Sequence, residues 1–360
     1  MIRALAYVPV EELEGRPHVV VDGAARPETV LALSHWPQSP TPAVLARDLS
    51  AQIVFAYLHA SRGGDVLAVA GRSRGGRRRS DLELKAALAA GGRAEAVTND
   101  HFDEDGLVSI FAMAEPELAL RHEDLLVEVA SCGDFGVVHS RQAARVAFAI
   151  GPMAEGSAGP APPDAERPGS WSGSRYLAVL SRTAELLEHT DRFRRYWEEP
   201  DAALSATLGD IGAGRVRIEE VTEVDLAVVT RTAAGAPLDE VALHSATPVS
   251  RMVVFDDGRC ELHLRYEGWV RYVSRSVPLR PDLAPLAAQL SAVEPSGIAW
   301  QADGIGSLVT RMAPGNDGWT DLDPTVVLRT VVEYLKRAPA AWDPFRRGGA
   351  LIPMSERAQS

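Results

Sequence analysis

His101, Asp103 and Asp105 alternate in the run Asn99-Asp100-His101-Phe102-Asp103-Glu104-Asp105-Gly106. In an extended loop every second side chain points the same way, so one imidazole and two carboxylates can converge on one point. Crowded carboxylates repel one another unless a cation neutralises them. Oxygen and imidazole donors without thiolates suit manganese, magnesium, iron or zinc as a divalent ion. The competing reading is an acidic first helical turn, in which Asp103, Glu104 and Asp105 favour the helix dipole with no metal at all. The ligand spacing of an EF-hand calcium loop is missing.

Three more segments present donors of the same kind. Val19-Val20-Val21-Asp22-Gly23 ends a β-branched run in an aspartate, and Leu31-Ala32-Leu33-Ser34-His35-Trp36 ends another in a histidine. Ser131-Cys132-Gly133-Asp134-Phe135-Gly136 follows a helical pattern with an aspartate between glycines. Singly, each has a structural reading: a turn at Asp22, a hydrogen-bonded core histidine at His35, a helix terminator at Asp134. Together they put candidate ligands at four element ends of one domain.

Those ends need a scaffold. Residues 18–21, 29–33, 66–70 and 94–98 read as strands, and helical spacing covers 43–58, 81–90 (capped by Ser80), 107–114, 123–130 and 141–150. Strands alternating with helices imply a mostly parallel sheet, and open parallel sheets place their sites at the carboxyl ends of the strands. A Pro/Gly/Ser-rich stretch follows, then a long amphipathic helix over 176–197. Beyond it, 215–220, 225–230, 251–255, 260–266 and 270–274 read as strands, 282–290 and 325–336 as helices, and Asp257-Gly258 as a hairpin turn. The expected class is α/β, with an N-terminal mostly parallel sheet and a smaller C-terminal α+β domain with antiparallel strands. The expected boundaries are a metal-binding domain at 1–153, a linker or loop at 154–175, a substrate or accessory domain at 176–345 and a tail at 346–360.

The motifs resemble those of the DHH phosphoesterase superfamily, which includes RecJ-type exonucleases and manganese-dependent inorganic pyrophosphatases. His101-x-Asp103-x-Asp105-Gly106, with Ser109 beyond it, looks like the first motif. Val21-Asp22-Gly23 and Ser34-His35-Trp36-Pro37-Gln38 are similar to the second and third, nearest the melanocyte-proliferating-gene-like exonuclease branch. Ser131-Cys132-Gly133-Asp134-Phe135-Gly136 resembles the fourth. The resemblance covers roughly the first 150 residues. It implies that Asp22, His35, His101, Asp103, Asp105 and Asp134 ligate two metal ions, manganese first among them. His101, Asp103, Asp105 and His35 would then carry hydrolysis of a phosphate ester or phosphodiester by a metal-bound hydroxide. Two features depart from the pattern: Trp36 stands where the family has a second histidine, and the His-x-Asp-x-Asp motif follows the Ser-His-Trp segment instead of preceding it. The whole chain also resembles an uncharacterised family of high-GC bacterial proteins.

A formal net charge of -12 argues against general duplex nucleic-acid binding, which needs a broad positive surface. A small phosphorylated substrate is the expected partner, with a short oligonucleotide as the alternative. The basic run Arg72–Arg79 lacks aromatics for base stacking and reads as a solvated loop. Arg271 and Arg275 share one face of the expected 270–274 strand and are candidates for holding phosphate, against a reading as exposed ion-paired residues. The two cysteines show no paired spacing, no apolar run spans a bilayer and the N-terminus reads as no signal peptide; the expectation is a cytoplasmic protein. Two other functions compete with the phosphoesterase. One is a binder of a nucleotide or phosphorylated ligand without turnover. The other is an interaction protein whose acidic loops hold no metal.

Overall fold

A computed structural model describes residues 3–64, 74–158, 170–231 and 235–357. The chain divides into two compact units, Met1–Ala202 and Ala203–Ser360. The expected strand at 66–70 and most of the Pro/Gly/Ser-rich stretch lie outside the described residues.

Among the described residues the first unit is built on four strands: β1 (Ala6–Tyr7), β2 (His18–Val21), β3 (Thr29–Leu33) and β4 (Ala96–Thr98). They lie in the order β1-β4-β2-β3, and all pairs are parallel. Every residue of β2 is buried, as are Leu31, Ala32 and Leu33 of β3. Such continuous apolar burial is what a parallel sheet covered by helices requires. Two helices that pack on its strands are α2 (Arg74–Gly91), against β3, and α3 (Glu104–Ala114), against β1, β2 and β4. Around α3 stand α1 (Ser50–Ser61), α4 (Pro116–Arg121), α5 (Glu123–Phe135) and α7 (Ser170–Glu188), and α6 (Arg141–Ala158) joins α5 to α7.

Several boundaries differ from the expected ones. Helix α1 begins at Ser50 instead of 43, because its first turn is seated on the carboxylate of Asp105. Ser80 is not a cap; it is buried inside α2, which already runs from Arg74. The basic run is therefore helical from Arg74 on, in keeping with the good helix propensity of arginine. Asp134 lies within the last turn of α5 and not beyond it, and the left-handed Gly136 caps that helix. The helix expected over 176–197 is two helices, α7 and α8 (Arg194–Gly212), separated by a 3-10 turn at Thr190–Phe193. There the indole of Trp197 donates to the Thr190 carbonyl at 2.9 Å, giving that backbone acceptor a side-chain donor where the helix is interrupted. Helix α7 packs on α6 and α3 within the first unit, so the division at 202/203 falls beyond the stretch where the sequence suggests a linker.

The second unit carries a six-stranded sheet in the order β10-β11-β8-β7-β6-β5. Its strands are β5 (Val216–Val221), β6 (Leu226–Arg231), β7 (Arg251–Asp256), β8 (Arg259–Leu264), β10 (Trp300–Ala302) and β11 (Thr310–Pro314). Pairing is antiparallel except between β6 and β7, which run parallel across the short helix α9 (Glu240–Ser245). Asp257 and Gly258 make the two-residue β7–β8 turn with φ of 49° and 82°, the left-handed pair that a tight hairpin needs. Alternation along β6 sends Leu226 and Val228 to one face and Ala227 and Val229 to the other. The first face is covered by α10 (Ala284–Val293) and α11 (Pro324–Arg337), and Leu243 of α9 joins the core on the second. A two-stranded sheet pairs β9 (Arg280–Pro281) with β12 (Ala340–Trp342).

The strand expected at 270–274 is absent; those residues form turns and irregular chain. Its aromatic and β-branched residues go to packing instead of pairing. Val270 is fully buried, and Trp269 stacks between Tyr266 and Trp342 at centroid distances of 5.8 and 5.6 Å. Arg271 and Arg275 thus share no strand face. Arg271 donates to the carbonyl of Pro344, and Arg275 to that of Pro248 and to Asp225.

Candidate metal centre

Three parallel strands end beside one another, and each delivers a ligand type. Asp22 follows β2 in a left-handed conformation (φ 44°), which aspartate tolerates better than most residues. His35 follows β3 by two residues, and the loop after β4 leads through His101 into α3. Asn99 ties two of these ends together: its amide donates to the Asp22 carbonyl at 2.9 Å, and its side-chain oxygen accepts from His101 N at 2.7 Å.

All six residues singled out in the sequence meet here. The Nε2 atom of His35 lies 3.4 Å from Asp22 Oδ1, 3.9 Å from Asp105 Oδ2 and 3.3 Å from Asp134 Oδ2. The Nε2 atom of His101 lies 2.6 Å from Asp103 Oδ2 and 3.3 Å from Asp22 Oδ2. Two donor groups result, Asp22-His35-Asp105 and Asp22-His101-Asp103, each with its ligand atoms within 4.8 Å of one another. Asp22 belongs to both and turns one carboxylate oxygen toward each. This buried Asp/His group could hold a metal ion.

The surroundings fix the orientation of these side chains. The Nδ1 of His35 donates to the Asp48 carbonyl at 2.5 Å, so Nε2 is the nitrogen left for the cluster. Asp100 sits 3.3 Å from His101 Nδ1 and has the same effect on that ring. Ser50 Oγ donates to Asp22 Oδ1 at 2.7 Å. The backbone amides of Ser50 and Ala51 both donate to the Asp105 carboxylate, each at 2.7 Å. Asp105 thereby fills the amino terminus of α1 from another helix, where the dipole favours a negative charge. Asp103 caps its own helix, accepting from Gly106 N at 2.7 Å with Oδ1 while Oδ2 faces His101. The acidic run therefore caps α3 and also contributes Asp103 and Asp105 to the Asp/His cluster.

Burial sets the electrostatics. Asp105 and Glu104 are each pushed up to about 7 by loss of solvent, with Asp22 adding to the rise at Asp105 and Asp103 to that at Glu104. Burial and the charges of Asp105, Asp103 and Asp22 push Asp134 well above the carboxylate range. Asp103 is raised too, by loss of solvent against the pull of His101. Burial also works upward on Asp22, but its contacts with His101 and His35 outweigh it and hold the carboxyl low. Burial alone would lower both histidines, yet the facing carboxylates raise them. Without another cation the cluster keeps protons that a metal would displace. Asp22 Oδ2 and Asp134 Oδ2 are buried and make no hydrogen bond among the described residues. Each faces an imidazole nitrogen at 3.3 Å, and a cation between them is one partner that would satisfy both.

Residues not foreseen as part of the site are Ser50, Asn99, Asp100 and Tyr176. Asn99 and Asp100 precede the motif directly, but nothing in their spacing reveals which loop they bind. Tyr176 comes from α7, far along the chain; its fully buried hydroxyl accepts from Asp103 N at 3.4 Å. A Cβ on Gly106 would meet that hydroxyl at 2.2 Å and the Asn99 amide at 2.6 Å. Gly106→Ala should therefore cost about 1–3 kcal/mol through overpacking. Denaturant titration checks this; an unchanged midpoint would mean that the loop relaxes freely.

A parallel α/β sheet with four aspartates and two histidines gathered beside its strand ends, two of the aspartates from helices α3 and α5, defines a protein with a candidate metal centre at the carboxyl edge. Residues 3–346 match the model for a family of unknown function, DUF6687, and the chain belongs to that family. No curated protein matches the chain.

Proposed function

We propose that this protein is a divalent-metal-dependent phosphoesterase acting on a small phosphorylated substrate. The observation that carries the reading is the sharing of Asp22 between two donor groups. A carboxylate that faces two sites is suited to hold two cations close together, the arrangement used for in-line displacement at phosphorus. The donor set of oxygens and imidazoles, with no thiolate, favours manganese, with magnesium, iron and zinc as alternatives. The fit to the DHH-like motifs points the same way: His101, Asp103 and Asp22 would hold one ion, and Asp22, His35, Asp105 and Asp134 the other.

Bound divalent ions would supply a Lewis acid and an activated water. The chain's own part is orientation and exclusion of solvent. Asp48 and Asp100 fix the imidazoles, the α1 amides fix Asp105, and Asp22, Asp105 and Asp134 are removed from water. His101 and Asp103 stand at the open side, where a phosphoryl oxygen can approach.

A second reading, a binder without turnover, is favoured by Trp36. It occupies the position of the second histidine in the resembling family, and its ring packs on His101 at 4.8 Å between centroids. The deciding experiment has two parts. Elemental mass spectrometry on untagged protein should find close to two equivalents of metal, and Asp103→Ala should lose at least one. Hydrolysis of phosphate esters and diesters by the metal-loaded protein would establish the enzyme. Stoichiometric binding of such a ligand without turnover would establish the binder, and protein that neither carries nor takes up manganese would end both readings.

A further inference from the structure

The two halves of the candidate centre differ sharply in access. The side chains of Asp22, His35, Asp105 and Asp134 are 1%, 0%, 0% and 4% exposed, whereas those of His101 and Asp103 are 28% and 26% exposed. The inner half is also locked from behind. Asp105 is held by two amides of α1, His35 by the Asp48 carbonyl and Asp22 by Ser50. The outer half depends on His101, whose ring is gripped on its Nδ1 edge by Asp100 and packed by Trp36, the planes 36° apart. Arg26 stands 3.9 Å from Asp100 and offsets its charge.

We propose that the centre combines a fixed inner metal position with an exchangeable outer one, and that Trp36 acts as a positioning residue for the outer position by clamping His101. This rests on the metal-centre reading above. An ion among four buried donors, three of them held by hydrogen bonds, exchanges only when the local structure opens. His101 and Asp103 are partly exposed, so an ion held there would lie nearer solvent than one among the inner donors. The availability of free metal then sets the occupancy of the outer position alone, and with it the competence of the site. Removing an outer-shell partner that orients a ligating histidine typically weakens metal binding by about 10–100-fold. Trp36→Ala should therefore weaken the outer ion by about tenfold or more and leave the inner ion in place, with Trp36→Phe largely restoring affinity.

The test is to load the full chain with manganese and then dilute it into a weak chelator. The ion retained over time is counted by elemental mass spectrometry, and the form of the retained ion is followed by electron paramagnetic resonance. The expected result is two ions, one lost at least tenfold faster than the other, with the spectrum changing from a coupled pair to an isolated ion. His101→Ala should bind only the slow ion; His101→Gln serves as a second variant, and circular dichroism confirms that each variant is folded. Two ions leaving at one rate would overturn the proposal and leave the metal centre standing. So would an outer affinity unchanged in Trp36→Ala, as far as the clamp is concerned. Wild-type protein that binds no manganese would overturn the underlying reading as well.

Discussion

Asp22→Asn is expected to remove both metal equivalents at once. Asp22 faces His35 with one carboxylate oxygen and His101 with the other, so losing its charge weakens both positions together. The substitution is chosen to spare the fold. Asparagine accepts the left-handed backbone found at residue 22, and its side-chain oxygen can still accept from Ser50. Removing the buried negative charge also leaves His35 and His101 without their shared counter-ion, so their protonation falls. Metal affinity should drop by at least about 100-fold, and the proposed phosphoesterase turnover to background, since in that reading both ions would be oriented by this group. Titration calorimetry with manganese measures the first and a phosphodiester assay the second. Retention of one tight ion would show that Asp22 is not shared, and the two-ion reading would fail.

The metal-free protein should lose stability as pH rises from about 5 to about 8, and metal should reverse the trend. Asp105 and Glu104 titrate at about 7 in the folded chain. In the unfolded chain they ionise near about 4. Between those values the folded state holds protons that the unfolded state has released, so a rising pH favours unfolding. The raised histidines act in the same direction: their contribution is complete below about 6.5, the unfolded value, and declines above it. Asp22 is opposite in sign, because its depressed carboxyl adds stability that disappears only in acid. The net expectation is a fall in Tm on the order of 5–10 °C across that window in excess chelator. Divalent metal replaces the protons and stabilises the folded state by mass action, with a gain that grows with pH. Differential scanning calorimetry with chelator and with manganese at each pH checks both signs. A chelated Tm that is flat or rises toward pH 8 would contradict the buried-carboxylate account.

The strand ends were legible because their signals are local. Three β-branched or apolar runs stop at Asp22, His35 and Asn99, and parallel topology then makes neighbours of residues far apart in sequence. The Asp257-Gly258 hairpin was legible for a similar reason, since a two-residue turn with positive φ admits few residue types. The 270–274 segment misled because aromatic and β-branched residues suit a packed turn as well as a strand, and period-2 alternation does not say which. The helix over 176–197 misled because its interruption at Thr190–Phe193 carries no proline or glycine to announce it.

Sequence alone determined which side chains could carry chemistry: the alternating acids after His101, the aspartate and histidine at two strand ends, and the absence of paired thiols. Residue type and spacing are properties of the chain, and a ligand set can be read from them. The tertiary structure decided how those side chains stand. It placed Asp22 between two imidazoles, seated Asp105 on the amides of α1, buried one half of the centre and opened the other, and brought Tyr176 beneath Asp103. Those outcomes depend on strand order and on helices packing from distant parts of the chain. Burial, which works upward on the carboxylates and sets a buried half of the cluster apart from a partly exposed one, exists only once the chain is folded.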